Sequence, residues 1–173
     1  NNALFPYYTE DKIHDYKGAT GSRTYVLIEK EEKTFLWEPF SPSGKKPYQT
    51  HNNIYKSIYG NKVLFEEVNE DLGISFRYGW YNSEKYGWVK ESQVKNFSGE
   101  KIQIHMLDGI KNILPWGVEY SFQNEYSNLL DAYKKNELIS ESKLGLFSLS
   151  SIPVDKAEPS ESLKATTVWS VGP

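Results

Sequence analysis

Apolar and polar residues alternate strictly over Ile74-Ser75-Phe76-Arg77-Tyr78-Gly79-Trp80. Ile74, Phe76, Tyr78 and Trp80 therefore share one face of a strand, and Ser75, Arg77 and Gly79 the other. Tyr86 to Val94 follows as a further strand, and then Lys101 to Leu107, where Ile102, Ile104 and Met106 alternate with Gln103 and His105. Upstream, Thr24 to Ile28 and Thr34 to Glu38 read as a first hairpin around the charged run Glu29 to Lys33. Ile54 to Tyr59 and Lys62 to Val68 read as a second, with Gly60-Asn61 as a two-residue turn, since both residues tolerate positive φ. Residues 1–23 read as a polar arm, Pro39 to Asn53 as a loop, and Glu70-Asp71-Leu72-Gly73 as a turn.

One stretch breaks the period. Phe122, Tyr126, Leu129, Leu130 and Tyr133 recur at helical spacing and predict one amphipathic helix over 121–135. Ser121 is its N-cap, and Lys134 and Lys135 complement the dipole at its end. Strand character returns in Gly145 to Ser151 and Leu163 to Val171. Short strands separated by turn residues predict a mainly β fold, an antiparallel β-sandwich, as one domain over 1–173. The last strand has no closing turn and the chain opens Asn1-Asn2-Ala3, so the sequence reads as part of a larger protein.

Composition sharpens this picture. The chain has 173 residues, enough for one well-cored domain. It lacks cysteine, which excludes disulfides and thiolate metal sites. With 20 basic against 23 acidic residues, it offers no basic face for phosphates, so nucleic acid is not expected as a partner. No apolar run reaches the length of a membrane span and no secretory signal is present. A cytoplasmic location without a membrane partner is expected. Aromatics make up 15% of residues but all hydrophobics only 38%, so rings supply much of the apolar surface. Core packing is their usual fate. A second use is stacking on the apolar face of a sugar, which suits a flat ring with a polar tip.

Catalytic arrangements are not evident. His14, His51 and His105 lie far apart and lack zinc spacing. Gly18-Ala19-Thr20-Gly21 has no helix opening after it to complete a phosphate cradle. Glu66 and Glu67, adjacent on a strand, point to opposite faces and cannot flank one glycosidic bond. Asp11/Asp15 and Glu158/Glu161 sit in turn-rich segments without an apolar pocket to raise a pKa. Tyr86-Gly87-Trp88-Val89 is similar to the Gly-Trp-Val ending of bacterial SH3-like domains, but the match is short and the strands are too many for so small a barrel. No cofactor or metal is expected.

Three blocks carry a wider resemblance. The first holds Tyr25-Val26-Leu27-Ile28, Trp37-Glu38-Pro39-Phe40, Asn53-Ile54-Tyr55-Lys56 and Tyr59-Gly60-Asn61-Lys62. The second holds Leu107-Asp108-Gly109-Ile110 and Asn112-Ile113-Leu114-Pro115. The third runs from Asn128-Leu129-Leu130-Asp131-Ala132-Tyr133 through Ser150 to Asp155 and Ala157 to Ser162, ending in Ala165-Thr166-Thr167-Val168-Trp169. Together they resemble the N-terminal region of cellobiose phosphorylase-like proteins, related to glycoside hydrolase family 94, over most of the chain. The resemblance implies a galactose mutarotase-like supersandwich that precedes an (α/α) barrel. The barrel holds the catalytic Asp, and phosphate is the nucleophile, so one protein carboxyl suffices there.

The expected role is therefore a non-catalytic sandwich that supports or walls the active site of such a barrel in cis, within a glycoside phosphorylase or hydrolase. The expected ligand is an oligosaccharide of the β-glucan type. Candidate sugar contacts are Trp37, Trp80, Trp88 and Trp116 for stacking, Arg77 as donor and Asp108 as acceptor. Core packing is the commoner fate of each Trp, and Asp108-Gly109 has the composition of a plain turn. Two rival roles are an autonomous carbohydrate-binding module, with aromatics exposed on one sheet face, and a structural or homodimerising domain, with a large bare apolar patch.

Overall fold

The computed structural model describes residues 3–6, 18–30, 32–43, 47–151 and 164–172. The chain divides into two compact units, Arg23–Gly109 and Asn1–Ser22 with Ile110–Pro173. The architecture is mainly β and antiparallel.

The unit Arg23–Gly109 is built from β1 (Gly21–Lys30), β2 (Lys33–Trp37), β3 (Thr50–Lys56), β4 (Val63–Asn69), β5 (Ile74–Ser83), β6 (Gly87–Asn96) and β7 (Gln103–Lys111). Both β1 and β7 run on past its limits. One sheet has the order β2-β1-β7 and the other β3-β4-β5-β6. The alternation of β5 delivers Ile74 and Phe76 to a core shared with Val26 and Ile28 of β1 and Trp37 of β2. Both sheets thus contribute to one apolar layer, as in a sandwich. Each fully buried side chain of this size stabilises by about 1.5–3 kcal/mol. Tyr78 extends the layer, stacked on Phe65 at 5.3 Å and meeting Phe40 edge-on at 5.4 Å.

The turn between β4 and β5 is where the sequence reading is most literal. Asn69, fully buried, accepts a hydrogen bond from the Leu72 amide at 3.1 Å. Gly73 follows at φ +66°, and a Cβ there would stand 2.6 Å from that of Ser98, so only glycine fits. The second hairpin differs from expectation. Strand β3 ends at Lys56 and β4 starts at Val63, so residues 57–62 connect them, and Tyr59 lies in the turn rather than in the strand. A hydrogen bond from the Ser57 amide to the Lys62 carbonyl, at 3.0 Å, closes this longer loop.

The other unit has two short helices, α1 (Tyr120–Glu125) and α2 (Ser127–Tyr133), and the sheet β8 (Lys134–Ile139), β9 (Leu144–Leu149) and β10 (Thr166–Val168) in the order β10-β9-β8. The single helix expected over 121–135 is broken at Tyr126, whose φ of −132° and ψ of 38° leave the helical region. The first N-cap is Glu119, not Ser121. The break splits the apolar stripe. Leu130 is buried with Leu114, Val118 and Leu149, and Phe122 and Tyr133 pack on them, whereas Tyr126 and Leu129 are exposed. Lys134 and Lys135 open a strand instead of ending a helix, although Lys134 still reaches back to Asp131 at 2.7 Å. The last strand is Thr166–Val168 among the described residues, shorter than expected, and Leu163 lies outside them. So do His14, Asp11, Asp15, Glu158 and Glu161.

Candidate functional site

Two polar clusters lie on opposite faces of the β3-β4-β5-β6 sheet. The register of β5 against β6 pairs Tyr78 with Ser92, Trp80 with Lys90 and Asn82 with Trp88. Trp80, Asn82, Trp88 and Lys90 therefore share the face that carries Tyr78 and the core. Toward the hairpin tip this face opens: Trp80 is half-buried and Trp88 is 55% exposed. Diagonal neighbours on one face of an antiparallel pair sit roughly 7–8 Å apart, within reach of indole rings.

Lys90 stands at the inner end of this strip. Its ammonium is 2.5 Å from Asp108 Oδ1 of β7 and 5.5 Å above the centre of the Tyr78 ring. The side chains of Lys90 and Asp108 are only 10% and 19% exposed. Thr24 of β1 donates to the same carboxylate oxygen at 2.6 Å. The pair thus ties β6 of one sheet to β7 of the other. Burial pushes the Asp108 carboxyl up, but hydrogen bonds from Lys90 and Thr24 and the Lys90 charge outweigh it and hold the carboxyl below its ordinary range.

The second cluster surrounds Glu66 on the outer face. Asn53, Glu66, Arg77 and Gln93 form one cross-strand row. Glu66 accepts from Tyr55 OH at 2.6 Å, Arg77 at 2.9 Å and Asn53 Nδ2 at 3.1 Å. The Arg77 guanidinium lies 4.9 Å over the Tyr55 ring. Burial again pushes the carboxyl up, and these hydrogen bonds with the Arg77 charge more than reverse it, so Glu66 is held low. Glu66 raises the Tyr55 hydroxyl in return, chiefly through their hydrogen bond. Beside the cluster, Gly79 lets Leu64 and Tyr81 lie against the strand, since a Cβ there would be 2.7 Å from Leu64 Cδ2 and 3.0 Å from Tyr81 OH.

These carboxylates are fixed acceptors. Each is low and locked by a cation, the opposite of what a general acid requires. Glu67, on the other face from Glu66, is buried and accepts from Trp37 Nε1 at 3.1 Å. Among the described residues, no group of three or more His, Asp or Glu is arranged to hold a metal ion, and no helix is long and apolar enough to cross a membrane.

Linkage gives a pH prediction. Both Glu66 and Asp108 are depressed on folding, so their contribution is complete above their unfolded values and is lost as pH falls through their folded ones. Urea midpoints should hold steady from neutrality to about pH 5, then fall below the ordinary carboxylate range near 4. A Glu66→Gln/Asp108→Asn variant should show a visibly flatter acid limb. An acid limb as steep as that of the parent would show that other groups set it.

The structure places Trp80 and Trp88 on one sheet face and brings Asp108 of the other sheet to Lys90 on that face. It does not bring the others there. Arg77 is on the opposite face with Glu66. Trp37 is 2% exposed and its ring has no free face for a ligand. Trp116 belongs to the other unit, where Lys164 Nζ lies 4.0 Å over its ring. Sequence reasoning did not select Lys90, Asn82 or Thr24. A signal for Lys90 existed: it shares strand parity with Trp88 and Val94, and a charge at a core-parity position needs a partner. No protein-family model matches the sequence, and a comparison with curated proteins finds no match.

Proposed function

We propose that this chain is a non-catalytic carbohydrate-binding β-domain that takes a β-glucan-type oligosaccharide along the β5–β6 hairpin. The observation that carries the reading is the exposed Trp88 on the same face as Trp80, next to the fixed Lys90–Asp108 pair. An indole platform offers stacking to the apolar face of a pyranose, and the neighbouring charges and Asn82 offer hydrogen bonds to its hydroxyls. Recognition sites of this kind are largely apolar with a few placed polar groups.

The resemblance to cellobiose phosphorylase-like proteins supplies a setting. In a cytoplasmic glycoside phosphorylase, such a face would wall the substrate pocket of a neighbouring catalytic barrel. Fold alone does not decide function, so the proposal stands on the site.

Titrating the chain with cello-oligosaccharides while following Trp fluorescence tests it. Saturable quenching at millimolar sugar is expected. Trp88→Ala should weaken binding by at least about ten-fold, as for a central aromatic anchor. Its melting temperature should not move, because the ring is more than half exposed. Unchanged affinity in Trp88→Ala would remove the proposed platform.

A further inference from the structure

The two hairpins of the larger sheet end together. β3 and β5 both run antiparallel to β4, so the β3–β4 turn and the β5–β6 turn leave the sheet at the same end. They share that end at different heights, because the β5–β6 ladder runs on past β4 to Ser83 opposite Gly87. This end exposes apolar side chains that no sugar platform explains. Ile58 is 92% exposed and Tyr59 85%. Tyr86, in the second turn, is exposed as well.

The exposure is built, not incidental. In the first turn, the Gly60 amide donates to the Ser57 carbonyl at 2.9 Å and the Lys62 amide to Ser57 Oγ at 3.2 Å. Ser57 Oγ donates to Asn61 Oδ1 at 2.8 Å. This hydrogen-bonded frame holds Ile58 and Tyr59 outward at its apex. Lys56 and Lys62 flank the apex, and Lys85 sits in the second turn with its ammonium 5.0 Å from the Tyr86 ring. Glu84 is the single acidic side chain in the two turns, in a chain where acids outnumber bases.

We propose that this end docks on an anionic lipid surface. Ile58 and Tyr59 at the apex, with Tyr86 on the second turn, suit the boundary between headgroups and acyl chains. Lysines on the flanks meet the headgroup phosphates. The charge at this end is three lysines, Lys56, Lys62 and Lys85, against Glu84, which complements a uniformly anionic surface. The sequence reading expects no membrane partner because no run is long enough to span, but interfacial contact needs no span. This surface is separate from the sugar strip, whose Trp80, Trp88, Lys90 and Asp108 it does not use.

Co-sedimentation of the full chain with vesicles tests the proposal. The chain should partition onto vesicles in which about a third of the lipid is phosphatidylglycerol, only weakly onto pure phosphatidylcholine, and less at high salt. Ile58→Ser/Tyr59→Ser should lose at least about ten-fold in partition. Lys56→Gln and Lys62→Gln should each lose about five-fold. All these positions are in or beside an exposed turn, so melting temperatures should be unchanged, and Trp88→Ala should still bind lipid. The proposal is overturned if the parent chain does not partition onto anionic vesicles, or if Ile58→Ser/Tyr59→Ser binds as well as the parent. It is equally overturned if sedimentation shows self-association that the same double variant abolishes, which would assign the apex to a second copy.

Discussion

Trp37→Ala is expected to destabilise the unit Arg23–Gly109 by about 3–5 kcal/mol, the range for deleting a large buried ring. The ring is 2% exposed and packs in the layer shared by both sheets. Its Nε1 also donates to Glu67, which is itself buried, so truncation removes a hydrogen bond as well as contact area. Trp37→Phe separates the two effects. It keeps most of the area and removes the donor, and should cost about 1–3 kcal/mol. A domain of this size has only about 5–15 kcal/mol in hand, so the alanine variant should be marginal at room temperature. Equilibrium urea unfolding, followed by far-UV circular dichroism, measures both. A loss below about 1 kcal/mol in Trp37→Ala would mean that the ring is not in the core.

Asp108→Ala should be nearly as damaging, for an electrostatic reason. It leaves Lys90 charged, 10% exposed and without the carboxylate that lies 2.5 Å away. Breaking a buried pair at one partner costs about 3–5 kcal/mol, and the lower figure fits here because Asp108 is 19% exposed. The double variant Lys90→Met/Asp108→Leu removes both charges and should recover to within about 1 kcal/mol of the parent, since apolar replacements of such pairs are often neutral. It should also fail to bind sugar. Recovery of stability without recovery of binding would show that the pair is kept for recognition rather than for folding. If the double variant bound sugar like the parent, the pair would be a structural clasp between β6 and β7 and nothing more.

The parts of the fold visible in the sequence are those where local pattern and burial agree. β5 is the clearest case, because Ile74, Phe76 and Tyr78 need one face and nothing in the segment competes. The turn at 70–73 is another, since its Gly73 answers to a positive φ that no other residue fits. The segment 121–139 fails for two reasons. Its stripe has helical spacing, but Tyr126 leaves the helix, and spacing cannot report one residue's dihedral angles. β8 then carries Lys134, Lys135, Asn136 and Glu137, with no alternation to mark a strand. Its identity comes from its partner, through a register that runs from Lys134 opposite Leu149 to Ile139 opposite Leu144. Tertiary pairing overrides a weak local preference.

The arrangement of the candidate residues was half legible for a related reason. Trp80 and Trp88 can be found by eye, and strand parity already sets Arg77 on the face opposite Trp80. Trp37 and Trp88 look alike as letters, and only sheet packing decides that one is sealed in and the other open. The Lys90–Asp108 contact crosses between two sheets, from β6 to β7, and no periodicity within either strand encodes it.

The most direct test of the carbohydrate-binding account is a two-dimensional NMR titration of the labelled chain with cellotetraose, reading the five indole N–H signals. The account predicts saturable shifts at Trp80 and Trp88 and in the Lys90 and Asn82 backbone amides, with Trp37 still. No shift at any indole under millimolar sugar, or shifts confined to Trp116 and Trp169, would contradict it.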